Sequence, residues 1–103
     1  MSHVVAVVGA TGAVGREMLA TLERRSFPVS RLVALASPRS AGLRLPFRGG
    51  EVVTEALGPS SFEGVRFALF SAGASVSREY APIAARAGAI VIDNSSAWRM
   101  APD

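Results

Sequence analysis

A glycine-rich junction near the amino terminus constrains this chain more than any other feature. Residues 4–15 read V-V-A-V-V-G-A-T-G-A-V-G, so a continuous apolar run breaks into three glycines that are spaced three residues apart. Because the residues of the run are consecutive and do not alternate with polar ones, residues 4–8 are predicted to form a strand buried on both faces. The apolar residues that follow have helical spacing and share one face: Val14, Met18, Leu19 and Leu22.

A strand, a glycine turn (residues 9–15) and a helix in this order predict a binding site for a pyrophosphate. Gly9 permits a tight turn, Gly12 lets the backbone approach the phosphates, and Gly15 lets the helix pack closely on the strand. The free N–H groups and the dipole of the first helical turn favour an anion. We therefore predict dinucleotide binding, the alternative being a tight strand-to-helix connection without a ligand.

Composition narrows the class of protein. The chain has 103 residues, half of them apolar, which is enough for one domain with a sizeable core. It has no cysteine, which excludes disulfides and a thiol nucleophile within these residues, and we predict no metal site. The one histidine, His3, is expected to be solvated.

Charge and hydropathy set further limits on partners and location. All eleven basic residues are arginines, but the net charge is only +3 and the arginines are scattered except for Arg24 and Arg25. Because a nucleic-acid surface normally shows a basic cluster or stripe, we predict no nucleic-acid partner. No stretch is long enough to span a bilayer and the start of the chain is a poor signal peptide, so a cytoplasmic protein without a membrane partner is expected.

The remaining apolar runs predict an α/β fold. Buried strands are predicted at residues 31–37, 65–70 and 89–93, a short edge strand at 51–55, and a loop at 37–46. Alternation of such strands with amphipathic helices indicates a Rossmann-like, doubly wound, mainly parallel sheet. In such a sheet the chain crosses back over the first strand, so residues 71–75 should face the glycine turn across a crevice.

A second helix is predicted from about Val76 to a stop at Gly88. Ser75 or Ser77 is the expected cap. Pro82 predicts either a kink or a later first turn, because proline has no N–H to donate within a helix.

The end of the second strand bears on the choice of dinucleotide. An NAD site usually has an acidic residue there, but none occurs between Glu23 and Glu51, and residues 37–40 read S-P-R-S. Arg39 with flanking hydroxyls suits a 2′-phosphate, which accepts bidentate, charge-assisted hydrogen bonds. We therefore predict NADP as the cofactor, with NAD and FAD as alternatives.

The segment after the last strand, D-N-S-S-A-W-R-M at residues 93–100, belongs to the same edge of the predicted sheet. Asn94 and Arg99 are predicted to contact the substrate, and an arginine there suits a carboxylate or a phosphate. Ser95 and Ser96 are expected to cap a turn. Serine hydrolase chemistry is unsupported, because there is no G-x-S-x-G motif and no histidine base.

Four segments together resemble the aspartate-β-semialdehyde dehydrogenase family. They are G-A-T-G-A-V-G at residues 9–15, S-P-R-S-A-G at 37–42, S-A-G-A-S-V-S at 71–77 and A-G-A-I-V-I-D-N-S-S-A-W-R-M at 87–100. The related N-acetyl-glutamyl-phosphate reductases share the glycine turn but typically have an aspartate-containing sequence where this chain reads N-S-S-A-W-R-M.

The resemblance implies a role for each segment. With Gly9 and Gly15 shaping the cofactor-binding turn, the cofactor would be held by Thr11, Gly12, Ala13 and Val14 at its pyrophosphate, by Arg39 and Ser40 at its 2′-phosphate, and by Ser71 and Ala72 along its length. Arg99 would bind the phosphate or acyl-phosphate group of the substrate.

The family reduces L-aspartyl 4-phosphate to the semialdehyde with NADPH, in amino-acid biosynthesis that leads to lysine, threonine and methionine. It uses a cysteine that forms a thioester and a histidine that acts as acid and base. Because neither that cysteine nor that histidine is present here, residues 1–103 are expected to be the truncated amino-terminal cofactor domain of such an enzyme, inactive by itself and homo-oligomeric when whole.

N-acetyl-glutamyl-phosphate reductase remains an alternative within this resemblance, and two other classes remain as well. A short-chain dehydrogenase would need a Tyr-x-x-x-Lys pair, but Ala84 stands four residues after Tyr80 and the chain has no lysine. A dinucleotide-binding sensor without chemistry would need only the glycine turn.

Overall fold

A five-stranded parallel sheet organises the fold. The computed structural model describes residues 3–25, 28–71 and 73–93. The elements, in chain order, are β1 (His3–Val8), α1 (Ala13–Arg24), β2 (Val29–Ala36), a 3-10 helix (Pro38–Ser40), β3 (Arg44–Phe47), β4 (Gly50–Val53), β5 (Glu55–Ala56), β6 (Phe67–Phe70), α2 (Ala74–Arg86) and β7 (Ile90–Asp93).

The strand order is β5-β2-β1-β6-β7, and each neighbouring pair is parallel. Val8, near the carboxyl end of β1, pairs with Leu35 of β2 on one side and with Phe70 of β6 on the other. The chain therefore adds β2 and β5 on one side of β1, and then returns to add β6 and β7 on the other side. The predicted α/β, doubly wound fold is confirmed, with the reversal point between β1 and β6.

Alternating side chains of β1 face two separate hydrophobic clusters, one on each side of the sheet. Ala6 and Val8 belong to a cluster that includes Phe62, Phe70 and Ala84 of α2. On the opposite face, Val7 belongs to a cluster with these buried residues: Ala10, Leu19, Ala34 and Leu45. Burial on both faces explains why the strand sequence is a continuous apolar run, as predicted.

The loop predicted at residues 37–46 is wrong in its second half. Arg44–Phe47 forms β3, which pairs antiparallel with β4, and Leu45 is buried. Pro46 suggested a loop, but proline is compatible with an edge strand of a hairpin, where its missing N–H breaks no ladder in a larger sheet. The strand predicted at residues 51–55 is confirmed at residues 51–53 but is not continuous, because β4 ends at Val53 and Glu55–Ala56 pairs separately with β2.

Helix α2 differs from prediction at its start and agrees at its end. Gly73, with φ of 104°, is the N-cap, so neither Ser75 nor Ser77 caps the helix, and the later first turn suggested by Pro82 is wrong. Gly88, with φ of 100°, ends the helix as predicted. Its N–H donates to Ala85 O, and the Ala89 N–H donates to Ala84 O at 3.0 Å, which together form a Schellman motif.

Candidate cofactor site

The glycine turn lies at the carboxyl edge of the sheet and is bonded to the neighbouring strand. Gly9 has φ of 85°, a conformation that favours glycine, as the predicted tight turn requires. The N–H groups of Gly9 and Ala10 both donate to Leu35 O, at 2.8 and 3.1 Å, and the Gly12 N–H donates to Gly9 O at 3.1 Å. These bonds fix the turn against the end of β2.

At Gly15 the helix α1 packs directly against the backbone of Gly9 and Ala10. A Cβ added there would lie 2.1 Å from Gly9 O and 2.7 Å from Ala10 Cα, distances that no real side chain tolerates. The predicted close packing of helix on strand at Gly15 is therefore confirmed, and it holds the first turn of α1 directly over the end of β1.

Gly12, in contrast to Gly15, has open space around it. It is exposed, its φ is −77°, and an added Cβ would meet only Gly9 O, at 3.5 Å. As the N-cap of α1 it provides no side-chain hydrogen bond, and the first turn has no acidic residue. The N–H groups and positive dipole end of this helix therefore face an open cradle, which fits the pyrophosphate of a dinucleotide. Ala13 and Val14 form the first turn beside it.

Arg16 adds a positive charge that sequence reasoning missed. Its Nε donates to Thr11 O at 3.0 Å, so its exposed guanidinium folds back onto the glycine turn. An arginine one turn into a helix is common, and no motif in the sequence distinguishes this one.

The arginine segment, residues 37–43, follows β2 at the same edge of the sheet. It begins with the 3-10 helix, in which the Ser40 N–H donates to Ser37 O at 2.9 Å. Arg39 is exposed and forms no ion pair with any residue that the structure describes. Because Leu35 O accepts from Gly9 and Ala10, the structure brings the glycine turn and the start of the arginine segment to neighbouring positions.

Thr54 is a second residue that sequence reasoning missed. It is 2% exposed, and its Oγ1 lies 2.8 Å from Ser40 O and 3.1 Å from Leu43 O. A single threonine between two short strands has no motif, and its partners are 11 and 14 residues away in the sequence. Only the fold reveals that it supports the arginine segment.

Ser71, the first residue of the segment predicted to face the glycine turn, contacts it from the side of β6. Its N–H and its hydroxyl both donate to Val8 O, at 3.0 and 2.8 Å, and the hydroxyl oxygen is 3.4 Å from Gly9 O. Ala72, Asn94 and Arg99 lie outside the described residues, so their predicted roles stay predictions.

The described residues offer neither a metal site nor a membrane-spanning helix. They contain no group of three His, Cys, Asp or Glu side chains that could hold a metal ion. In the same part of the chain, neither helix is long and apolar enough to cross a membrane.

Comparison with known proteins identifies relatives that match nearly the whole chain. The chain is 59% identical over 96 residues to aspartate-semialdehyde dehydrogenase of Bacillus subtilis, covering 93% of this chain and 28% of the relative. It is 57% identical over 104 residues to the Aquifex aeolicus enzyme of the same name, covering 100% of this chain and 31% of that protein. The chain thus spans less than a third of the length of these relatives.

Solved structures agree with the sequence comparison. The fold matches the crystal structure of aspartate semialdehyde dehydrogenase II from Vibrio cholerae complexed with ASA, with a TM-score of 0.86 and 47% identity, covering 96% of this chain and 32% of that one. A family model described as "Semialdehyde dehydrogenase, NAD binding domain" matches residues 4–103. The resemblance drawn from the four sequence segments is confirmed, and the chain belongs to the semialdehyde dehydrogenase NAD-binding domain family.

Proposed function

We propose that this chain is the NADP-binding part of an aspartate-semialdehyde dehydrogenase, an enzyme that interconverts L-aspartyl 4-phosphate and L-aspartate 4-semialdehyde. The observation that carries the proposal is the open cradle at Gly12, held in place by Gly15 and adjoining an arginine segment that contains no acidic residue. The names of the relatives support the reaction, and the arginine segment supports NADP over NAD.

The residues of this chain bind and orient the cofactor, which when bound supplies or accepts the hydride. The N–H groups at the start of α1 hold the pyrophosphate, with Thr11, Ala13 and Val14 around them. Arg39 and Ser40 hold the 2′-phosphate by charge-assisted hydrogen bonds. Ser71 and Ala72 lie along the cofactor.

Substrate recognition is assigned to the residues that follow β7. Phe70 pairs with Asp93, so β7 ends at the same edge of the sheet as the glycine turn, and Asn94 and Arg99 come next in the sequence. We assign to Arg99 the binding of inorganic phosphate or of the acyl-phosphate group, because a guanidinium binds such an anion through two parallel hydrogen bonds.

The chemical step needs groups that these 103 residues do not contain. The family mechanism uses a cysteine thiolate, and the chain has no cysteine. We therefore propose that the chain binds cofactor without turning substrate over, and that catalysis requires a longer protein that contains this domain.

The proposal is tested by kinetics on such a longer protein. It should reduce NADP⁺ in the presence of L-aspartate 4-semialdehyde and phosphate. Arg99→Ala should weaken phosphate binding by about 1.5–3 kcal/mol, the value of a hydrogen-bonded charge, with little change in the KM for NADP⁺. Absence of phosphate-dependent activity would overturn the reaction, and a defect confined to NADP⁺ binding would show that Arg99 has a different role.

A further inference from the structure

The arginine segment rests on one buried hydroxyl. Thr54 is 2% exposed, and its Oγ1 is 2.8 Å from Ser40 O, the carbonyl directly after Arg39. The same oxygen is 3.1 Å from Leu43 O, so its single proton is placed between two carbonyl acceptors of this segment. The Leu43 N–H also approaches Ser40 O but at 3.4 Å, a weaker contact.

The backbone of Thr54 is bonded to the same segment in both directions. Its N–H donates to Leu43 O at 2.8 Å, and its carbonyl accepts from the Gly42 N–H at 2.8 Å. These two bonds tie the far end of the arginine segment to Thr54. The hydroxyl bond to Ser40 ties the end nearest the arginine.

Thr54 is itself anchored to the strand that supports the glycine turn. The next residue, Glu55, pairs with Leu35 of β2, and Leu35 O accepts from Gly9 and Ala10. The arginine segment and the glycine turn are therefore both attached to the sheet at Leu35. Removing the hydroxyl would leave Ser40 O without its short hydrogen bond. The arginine segment would then be held less firmly, while the bonds of the glycine turn to Leu35 would be unchanged.

We infer that Thr54 is a positioning residue that holds Arg39 and Ser40 in place for the 2′-phosphate and so sets the preference for NADP(H) over NAD(H). The inference rests on the proposed function, since it assumes that the arginine segment binds the 2′-phosphate. Thr54 acts through the backbone of Ser40 and not by touching the cofactor.

The experiment measures the dissociation constants of NADP⁺ and NAD⁺ by calorimetry, with the full 103-residue chain. Thr54→Val has the same shape without the hydroxyl, and it should reduce the ratio of the two affinities about five- to tenfold, the effect of losing one hydrogen bond. NAD⁺ affinity should stay the same. Thr54→Ser keeps the hydroxyl and should keep the ratio. Thr21→Val, the same change at a half-buried position of α1, is the matched control.

Each outcome has a distinct meaning. Equal affinity of the unaltered chain for both nucleotides overturns the proposed cofactor choice and this inference with it. A folded Thr54→Val that keeps the full preference for NADP⁺ overturns the inference alone, as does a parallel loss of affinity for both nucleotides, which is the effect of general destabilisation. If Thr54→Val does not fold, Thr54→Ser decides: loss of the preference in this folded variant refutes a role for the hydroxyl.

Discussion

Where β1 ends, the chain turns through Gly9 and enters α1 within a few residues; where β2 ends, it runs through the arginine segment and a hairpin before it returns to the sheet at Glu55. Both connections lie at the same edge, and we assign both to one cofactor. They are held there differently. The glycine turn is fixed by close backbone packing at Gly15 and by backbone bonds to Leu35 of β2, whereas the arginine segment is fixed by hydrogen bonds to the side chain and backbone of Thr54.

The two parts of the site therefore depend on different physical interactions. At the glycine turn the constraint is steric, so one added carbon changes the geometry of the whole strand-to-helix junction. In the arginine segment the constraint is a small set of hydrogen bonds, each worth about 1 kcal/mol. A single substitution in the glycine turn should therefore disrupt the whole junction. In the arginine segment, each lost hydrogen bond should weaken the structure by a small amount.

The largest effect is expected from Gly15→Ala. The new Cβ would lie 2.1 Å from Gly9 O, so α1 must move away from β1. We expect a loss of about 3 kcal/mol in the free energy of unfolding from this overpacking, measured by urea denaturation. Helix propensity alone would make alanine more stable than glycine by about 1 kcal/mol, so the sign of the change is diagnostic. Gly50→Ala, whose Cβ would lie 3.8 Å from Phe47 O, is the control.

Gly12→Val separates binding from folding within the glycine turn. The φ of −77° suits any residue and the position is exposed, so far-UV circular dichroism should stay unchanged. Binding of NADP⁺, measured by calorimetry, should be abolished because the side chain occupies the space of the phosphates. Gly50→Val should bind normally. Native affinity in Gly12→Val would show that the pyrophosphate lies elsewhere.

The same difference explains what could be predicted from the sequence. The glycine turn was predicted because its determinants, Gly9 and Gly15, are close together in the chain and leave a pattern of residue types. Ser71 was predicted to reach it from the order of strands, which follows from the alternation of buried strands and helices. Both predictions depend on local patterns and on general rules of chain connection.

The support of the arginine segment could not be predicted in this way. Thr54 contacts Ser40 and Leu43 only because β3 and β4 form a hairpin between them, and Pro46 made that hairpin resemble a loop. The cap of α2 has a different cause: Ser75 and Ser77 have the usual capping side chain, but the helix begins earlier, after Gly73 with its positive φ. The hairpin thus depends on contacts between distant residues, whereas the start of α2 depends on a local backbone conformation.

An intermediate effect is expected from Arg39→Ala, which tests the second region directly. Loss of the guanidinium should reduce the preference for NADP⁺ over NAD⁺ by about 1.5–3 kcal/mol, since a charged hydrogen-bond donor is removed. Calorimetry should show unchanged NAD⁺ affinity and unchanged folding, because Arg39 is exposed. Arg31→Ala, an exposed arginine in the first half of β2, should retain the preference. A variant of Arg39 with full preference would refute the assignment of the 2′-phosphate site.

The smallest effect is expected from Gly42→Ala, which asks whether glycine has the same purpose in both regions. An added Cβ at Gly42 meets nothing within 4 Å, unlike the one at Gly15, but the φ of 95° is costly for any side chain. The loss in the free energy of unfolding should therefore be about 1–2 kcal/mol, the cost of a left-handed conformation in an L-residue. Gly42→Asn should lose less, because asparagine enters this region more readily.

The Gly42 N–H still donates to Thr54 O in both variants, so calorimetry should show an unchanged preference for NADP⁺. A loss as large as that of Gly15→Ala would mean that the arginine segment is packed as tightly as the glycine turn, and the contrast between a sterically fixed and a hydrogen-bonded region would be wrong.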